Sequence, residues 1–201
     1  MAGSLIILNG ASSSGKTSIG IALQRLWPRP LLVTGIDTVI AGWPESYITA
    51  PSEEGGPAGP TTGMRIVPGR GPSPSWILEL GPDFHAVMAL VHRSWESLSR
   101  GGIDLVIDHV ILDSTLRSQA EETLADAFWV GVTCDVEELV RRELERGDRY
   151  LGFASGSSAV VHQEMTYDLV IDSTHVPPDV LAREIVDSVT RWTDRHRKPG
   201  A

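Results

Sequence analysis

Residues 10–17 read Gly-Ala-Ser-Ser-Ser-Gly-Lys-Thr, the spacing G-x-x-x-x-G-K-[ST] without a mismatch. These residue types define a chemistry. Gly10 and Gly15 let the backbone turn, so that the N–H groups of Ala11, Ser12, Ser13 and Ser14 can point inward at phosphate oxygens. Lys16 reaches the β- and γ-phosphates, and the Thr17 hydroxyl is placed for Mg²⁺. The apolar run Leu5 to Leu8 precedes the loop and a helical pattern from Lys16 to Trp27 follows it. The positive end of that helix's dipole therefore faces the same phosphates. A turn that merely caps a helix would use the glycines but has no need of the lysine. Lys16 and Lys198 are the only lysines among 17 Lys and Arg residues. The expectation is a bound nucleoside triphosphate, ATP or GTP, with Mg²⁺.

Other residues could complete such a site. Asp108 ends the apolar strand Ile103 to Asp108, the usual place for a carboxylate that helps hold Mg²⁺ beside a phosphate loop. The plainer alternative is a strand-end cap. Asp104 begins the same strand and belongs to its far end. Asp37 closes a second strand, where it would face the γ-phosphate and could take the proton of an attacking hydroxyl. It could equally cap a short helix at Thr38 to Gly42. Arg142 and Arg146 are four apart on one helix face, and Arg149 follows Gly147. Arginines on such a segment can fold over the phosphates and neutralise developing charge. A solvated face pairing with Glu138 and Glu145 is the alternative. Thr174 and His175 follow the last strand, beside the expected place of the nucleotide base, though His175 also reads as an ordinary exposed loop histidine.

The elements that would position these residues alternate in type. Leu5–Asn9, Leu31–Thr34, Ile103–Asp108, Ala127–Thr133 and Tyr167–Asp172 read as strands, the first and third of the buried, parallel type. Helical stripes lie between them: Ile19, Ala22, Leu23, Leu26 and Trp27; Phe84, Val87, Met88, Val91, Trp95 and Leu98; and Leu181, Ile185, Val189 and Trp192. Pro82 and Pro178 open two helices and Gly101 closes one. A polar helix is expected over Ser114 to Asp126, one begun by an Asp135/Glu138 capping box, and a short one over Ser157 to Gln163. Strand–helix alternation predicts a parallel α/β sheet with helices on both faces. Ligands of such sheets bind at the carboxyl ends of the strands, which gathers the phosphate loop, Asp37, Asp108 and the segment after Asp172 on one edge. From Trp43 to Ser75 the periodicity fails, and nearly half of residues 51–75 are Gly or Pro. A loop of that length in a compact domain is as readily a binding loop as a slack one.

Bulk properties narrow the class. A chain of 201 residues is most simply one domain over 1–201, with 45–80 as an acceptor-binding region and 135–155 as an arginine-bearing lid. A formal net charge of −9 argues against nucleic acid and anionic membranes as partners. No apolar run approaches a membrane span, and the strand at the N-terminus leaves no room for a signal peptide. A single cysteine, Cys134, excludes an internal disulfide and suits a reducing cytoplasm.

In its ordered motifs the chain resembles the chloramphenicol phosphotransferases, P-loop kinases that modify antibiotic hydroxyls. The resemblance rests on IILNGASSSGKT, Gly35-Ile36-Asp37, Gly81-Pro82-Asp83-Phe84, LVIDHV and WVGVTCD. It continues through the RGDR of residues 146–149, the VVH of Val160–His162, and YDLVIDST. It implies a five-stranded parallel sheet of order 2-3-1-4-5 with a mobile lid. It also implies Asp37 as the base that activates the acceptor hydroxyl, and the arginines of 146–149 as the phosphate-contacting lid. The Pro/Gly-rich segment from about Ala50 to Leu80 differs in character from the family's, and related kinases bind acceptors there. The reaction type therefore carries over further than the substrate.

The sequence thus points to an O-phosphotransferase acting on a small-molecule hydroxyl. The acceptor would be an antibiotic such as chloramphenicol, a nucleoside or an aminoglycoside, and the outcome resistance or self-protection. A metabolic kinase for a shikimate-, gluconate- or nucleotide-like acceptor is the rival enzyme. A nucleotide-dependent switch is the rival class, weakened because Lys198, followed by Pro-Gly-Ala, cannot form an N/T-K-x-D motif. The acceptor, the donor base and the oligomeric state stay open.

Overall fold

The computed structural model describes residues 2–49, 62–70, 75–147 and 151–196. The chain begins β1 (Leu5–Gly10), α1 (Lys16–Leu26), β2 (Leu31–Gly35) and α2 (Ile36–Ala41). After a single 3-10 turn at Glu45–Tyr47 come three short strands, β3 (Ile48–Thr49), β4 (Met64–Pro68) and β5 (Trp76–Leu80). The alternation then resumes with α3 (Pro82–Arg100), β6 (Asp104–His109), α4 (Ser114–Thr123) and β7 (Phe128–Thr133). It ends with α5 (Val136–Arg146), α6 (Phe153–Ser158), β8 (Leu169–Asp172) and α7 (Pro178–His196).

Five strands form one sheet in the order β2-β6-β1-β7-β8, and every pairing is parallel. That is the expected 2-3-1-4-5 order. β1 is buried along its whole length because both faces of the sheet are covered. Alternate side chains divide between two cores. Leu5, Ile7, Leu105 and Ile107 meet Phe84, Met88 and Trp95 of α3 and Leu116 and Ala120 of α4. Ile6, Leu8, Val106 and Val130 meet Ile19 and Leu23 of α1 and Leu181, Ile185 and Val189 of α7. The register sets Gly35 beside Asp108 and Asn9 beside His109. The ends of β1, β2 and β6 therefore share one edge, as a parallel sheet requires.

The structure departs from the sequence reading at definable places. Residues 48–80 carry a second sheet, β3-β4-β5, with β3–β4 parallel and β4–β5 antiparallel. The Gly/Pro content masked a two-residue alternation in which Met64 and Ile66 are buried and Arg65 is not. The short helix after β7 lies at 153–158, earlier than expected. Tyr167 precedes β8, which begins only at Leu169. Asp135 makes no side-chain cap on α5; Glu138 is instead engaged by Arg141 and Arg142. Leu26 and Leu98 are exposed, while His92 and Ser99 take buried places on α3. Among the described residues no helix is long and apolar enough to cross a membrane.

Candidate active site

The phosphate loop joins β1 to α1 at the center of the sheet edge. Gly15 is the N-cap of α1 with φ 85°, a left-handed conformation that a side chain would strain. Ser13 also sits at positive φ, 64°, without being glycine. The loop holds that conformation by its own contacts. Lys16 is buried, and its Nζ donates to the Ala11 carbonyl at 2.8 Å, wrapping the side chain back over the loop. Ser173 Oγ donates to the Ser14 carbonyl from the segment after β8. Ser13 Oγ, on the wall of the loop's cavity, is without a hydrogen-bond partner. A buried hydroxyl left over beside a lysine and a helix N-terminus suits an anion.

Asp108 lies across the loop. It accepts a hydrogen bond from Thr17 Oγ1 at 2.6 Å, and its other oxygen is 3.5 Å from Lys16 Nζ. A hydroxyl and a carboxylate oxygen converging in this way are hard donors of the kind Mg²⁺ takes beside substrate phosphates. Asp104, at the far end of β6, is occupied structurally by Ser4 N, Trp27 Nε1 and Arg29. Asp37 falls in the first turn of α2, whose N-cap is Gly35, so it does not cap that helix.

Two adjoining cavities meet here. The first, of about 200 Å³, is lined by Ser12, Ser13, Gly15, Lys16, Thr17, Asp37, Asp108, Val110, Arg142 and Arg146, among others. The second, of about 490 Å³, is walled by Ile36, Ile40, Ile48, Ile66, Ile77, Leu78, Leu112 and Phe153. Ser12, Asp37, Val110 and Arg146 belong to both. One carboxylate and one guanidinium thus stand where a phosphate cavity opens into an apolar one.

The arginines of α5 have different tasks. Arg141 is exposed and pairs with Glu138 and Glu145, the solvated-face arrangement. Arg142 turns inward: Nε donates to Glu138 at 2.7 Å, and Nη2 to the carbonyls of Ser173 at 2.7 Å and Thr174 at 3.1 Å. Hydrogen bonds from Arg141 and then Arg142 hold the Glu138 carboxyl down at about 2. Arg142 is therefore a fixed strut from α5 to the loop after β8, with its guanidinium over the start of α1. Thr174 is buried. Its hydroxyl accepts from Asp135 N and donates to Asp172, and that bond together with the one from the Thr174 amide lowers the Asp172 pKa. His175 is exposed and does not line the phosphate cavity. Arg149 lies outside the described residues.

Several residues around the site were not singled out from residue type and spacing. Asn9, just before the loop, is wholly buried. Its Oδ1 accepts from Ile111 N, so its amide nitrogen donates to the Val161 carbonyl and to the Tyr167 hydroxyl, at 2.8 and 2.7 Å. The Tyr167 hydroxyl is then left to donate to His162 Nδ1 at 2.7 Å. Burial raises Tyr167 to about 12 and lowers His162. This gives a physical role to His162 of the VVH motif and to Tyr167 of YDLVID, a segment read from the sequence as a strand. His109, next to Asp108, meets His92 Nε2 to Nε2 at 3.0 Å. Burial lowers both, His92 to about 4, so the pair adds no charge to the site.

The family described as chloramphenicol phosphotransferase-like protein matches residues 3–190. The chain belongs to that family. A protein of Mycobacterium tuberculosis described as a candidate O-phosphotransferase is 32% identical over 196 residues, covering 92% of this chain and 82% of the relative, in each of two strains. Among solved structures, the M. tuberculosis APS kinase in complex with AMPPNP and APS superposes with a TM-score of 0.60 at 15% identity, covering 94% of this chain and 98% of that one. Shikimate kinase from Acinetobacter baumannii in complex with shikimate gives 0.57 at 16%, covering 94% of each. A gluconokinase from Sinorhizobium meliloti gives 0.55 at 15%, covering 96% and 94%. At such identities these likenesses show the fold, that of P-loop kinases. Family and fold together make the protein a phosphotransferase that acts on a hydroxyl of a small molecule.

Proposed function

We propose that the enzyme transfers the γ-phosphoryl group of ATP or GTP to a hydroxyl of a neutral, largely apolar antibiotic. A chloramphenicol-like or nucleoside compound fits this description, and modification would confer resistance or self-protection. The observation that carries the reading is the aliphatic cavity of about 490 Å³ opening onto Asp37. A volume of that order suits a drug-sized molecule. Among the described residues, Arg146 is the one cation on its wall, and it also lines the phosphate cavity. The kinases solved with APS and shikimate hold anionic acceptors. An anion placed against Ile48, Ile66, Ile77 and Leu78 would lose its hydration with Arg146, shared with the phosphate cavity, as its one cationic partner among the described residues. That argues against the metabolic-kinase reading, and the same wall offers little to a polycationic aminoglycoside.

In this reading the loop's N–H groups, apart from those of Ser12 and Ser14 that the fold already engages, act with Lys16 to hold the phosphates, and Arg142 and Arg146 meet charge that builds during transfer. Asp37 orients the acceptor hydroxyl and takes its proton as the oxygen attacks phosphorus; the nucleoside diphosphate leaves. Thr17 and Asp108 would hold Mg²⁺, which supplies neutralising charge to the β- and γ-phosphates when bound. The test is a phosphate-transfer screen read by mass spectrometry, with chloramphenicol, nucleoside antibiotics and aminoglycosides beside shikimate and gluconate. A phosphorylated neutral antibiotic is expected. Transfer confined to the anionic acceptors would refute the reading.

A further inference from the structure

The phosphate loop and the apolar cavity are linked by α6, a six-residue helix that the reaction scheme above does not use. Its contacts run to three other parts of the site. Toward the phosphate loop, the Ser12 N–H donates to Ser157 Oγ at 3.0 Å, and the same hydroxyl donates to the Phe153 carbonyl at 2.6 Å. Ser157 is buried, and both of its hydrogen-bonding directions are thereby fixed. Toward the arginine helix, the Glu143 carboxylate accepts from Gly152 N at 2.6 Å and from Ala154 N at 2.8 Å. Glu143 is 3% exposed, and it lies one residue from Arg142 and three from Arg146. A carboxylate buried to this degree is costly, so its two amide partners set the start of α6 firmly. Toward the second sheet, Trp76 N donates to the Gly152 carbonyl at 3.0 Å. There Gly156 lets the helix approach so closely that a Cβ would stand 2.0 Å from the Trp76 carbonyl oxygen. Finally, Phe153 and Ser157 themselves line the apolar cavity.

We propose that α6 couples nucleotide binding to the acceptor cavity, with Ser157 and Glu143 as positioning residues. The proposal rests on the phosphotransferase reading of the two cavities. Ser12 lies on their shared rim. Phosphate oxygens recruit the N–H groups of such a loop, so filling the first cavity orders the segment whose amide is anchored on Ser157. Order gained there passes along α6 to Gly152 and Trp76, and so to β5, which supplies Ile77 and Leu78 to the acceptor wall. Glu143 makes the position of Arg142 and Arg146 part of the same unit. Acceptor and nucleotide then favour each other's binding, as any two sites biasing one element must.

Amide hydrogen exchange on the whole chain tests this, with saturating Mg²⁺ and AMPPNP as the probe and nucleotide titration alongside. In the wild type, nucleotide should slow exchange in residues 17–26 and also in 76–80, the latter about fivefold, the scale of one net hydrogen bond. In Ser157→Ala the nucleotide should still bind, within about threefold in affinity, and still protect 17–26, but the added protection of 76–80 should vanish. Ser157→Thr, which keeps the hydroxyl, should restore it. Glu143→Gln should lose it as Ser157→Ala does. A purely structural role would shift exchange equally with and without nucleotide, so the nucleotide-dependent difference within each variant is the readout. Undiminished protection of 76–80 in Ser157→Ala, or none there in the wild type, overturns the coupling while leaving the kinase reading intact. Failure of the wild type to bind nucleotide overturns both.

Discussion

Replacing Arg142 separates a strut from a mobile lid arginine. The guanidinium gives two hydrogen bonds to backbone carbonyls, Ser173 at 2.7 Å and Thr174 at 3.1 Å, and its side chain is 26% exposed. A hydrogen bond to a charged group contributes about 1.5–3 kcal/mol, which partial exposure and the longer second contact reduce to about 1 each. Arg142→Ala should therefore cost about 2 kcal/mol, or about 4–8 °C in Tm for a chain of this length. Turnover should fall as well, because the same group stands over the start of α1. Arg142→Lys keeps a charge but not the fork, so it should recover only part of both losses. Arg146→Ala should lower turnover with little change in Tm, and Arg141→Ala should leave turnover unchanged and lower Tm only slightly, since Arg141 is itself 54% exposed and water screens its pairs with Glu138 and Glu145. The assays are thermal unfolding and steady-state transfer on the same preparations. An unchanged Tm in Arg142→Ala, with turnover lost, would refute the strut and favour an arginine that closes only over bound nucleotide.

The remaining predictions concern the chemistry and the pH response. Asp37→Asn should leave nucleotide affinity near normal while cutting transfer about 100-fold or more, by product mass spectrometry and titration; full activity would remove Asp37 as the base. Lys16→Ala should abolish transfer, and Thr17→Ala should raise the Mg²⁺ concentration needed for half-maximal rate; normal turnover in Lys16→Ala would sink the phosphate-loop assignment. Glu138 has a folded pKa of about 2 against an ordinary 4.5. Its contribution to stability should thus be complete above about 4.5 and be lost as pH falls toward about 2. The difference in stability between wild type and Glu138→Gln should shrink over that window, and a difference constant in denaturant titrations from pH 5 to 2 would refute it.

Local signals carried a good deal of this protein. The phosphate loop is contiguous, so its residue types declare its chemistry without reference to the rest of the chain. The five central strands are short, largely apolar and bounded by turns, and their alternation with helical stripes is enough to predict a parallel sheet. The small sheet was not legible in the same way. β3 pairs with β4 across a Gly/Pro-rich segment, and only the buried positions of Met64 and Ile66 reveal an alternation too short to stand out. Without that sheet residues 45–80 read as loop, and the aliphatic wall on which the proposed acceptor class rests had no visible source.

The sequence by itself determined the types of the elements that build the central sheet and its helices, the loop and the candidate list, because each depends on periodicity or spacing within a few residues. Tertiary structure decided which candidates meet. Asp108 reaches Thr17 because β1 and β6 pair in one register, across 91 residues. Arg141 and Arg142 are neighbours in sequence, yet about 100° of helical rotation sends one to solvent and the other to the carbonyls after β8. Glu143, which the sequence analysis did not single out, is buried where the segment leading into α6 presents two amides to it. Such assignments depend on the distance between segments far apart in the chain, and no local pattern encodes that distance.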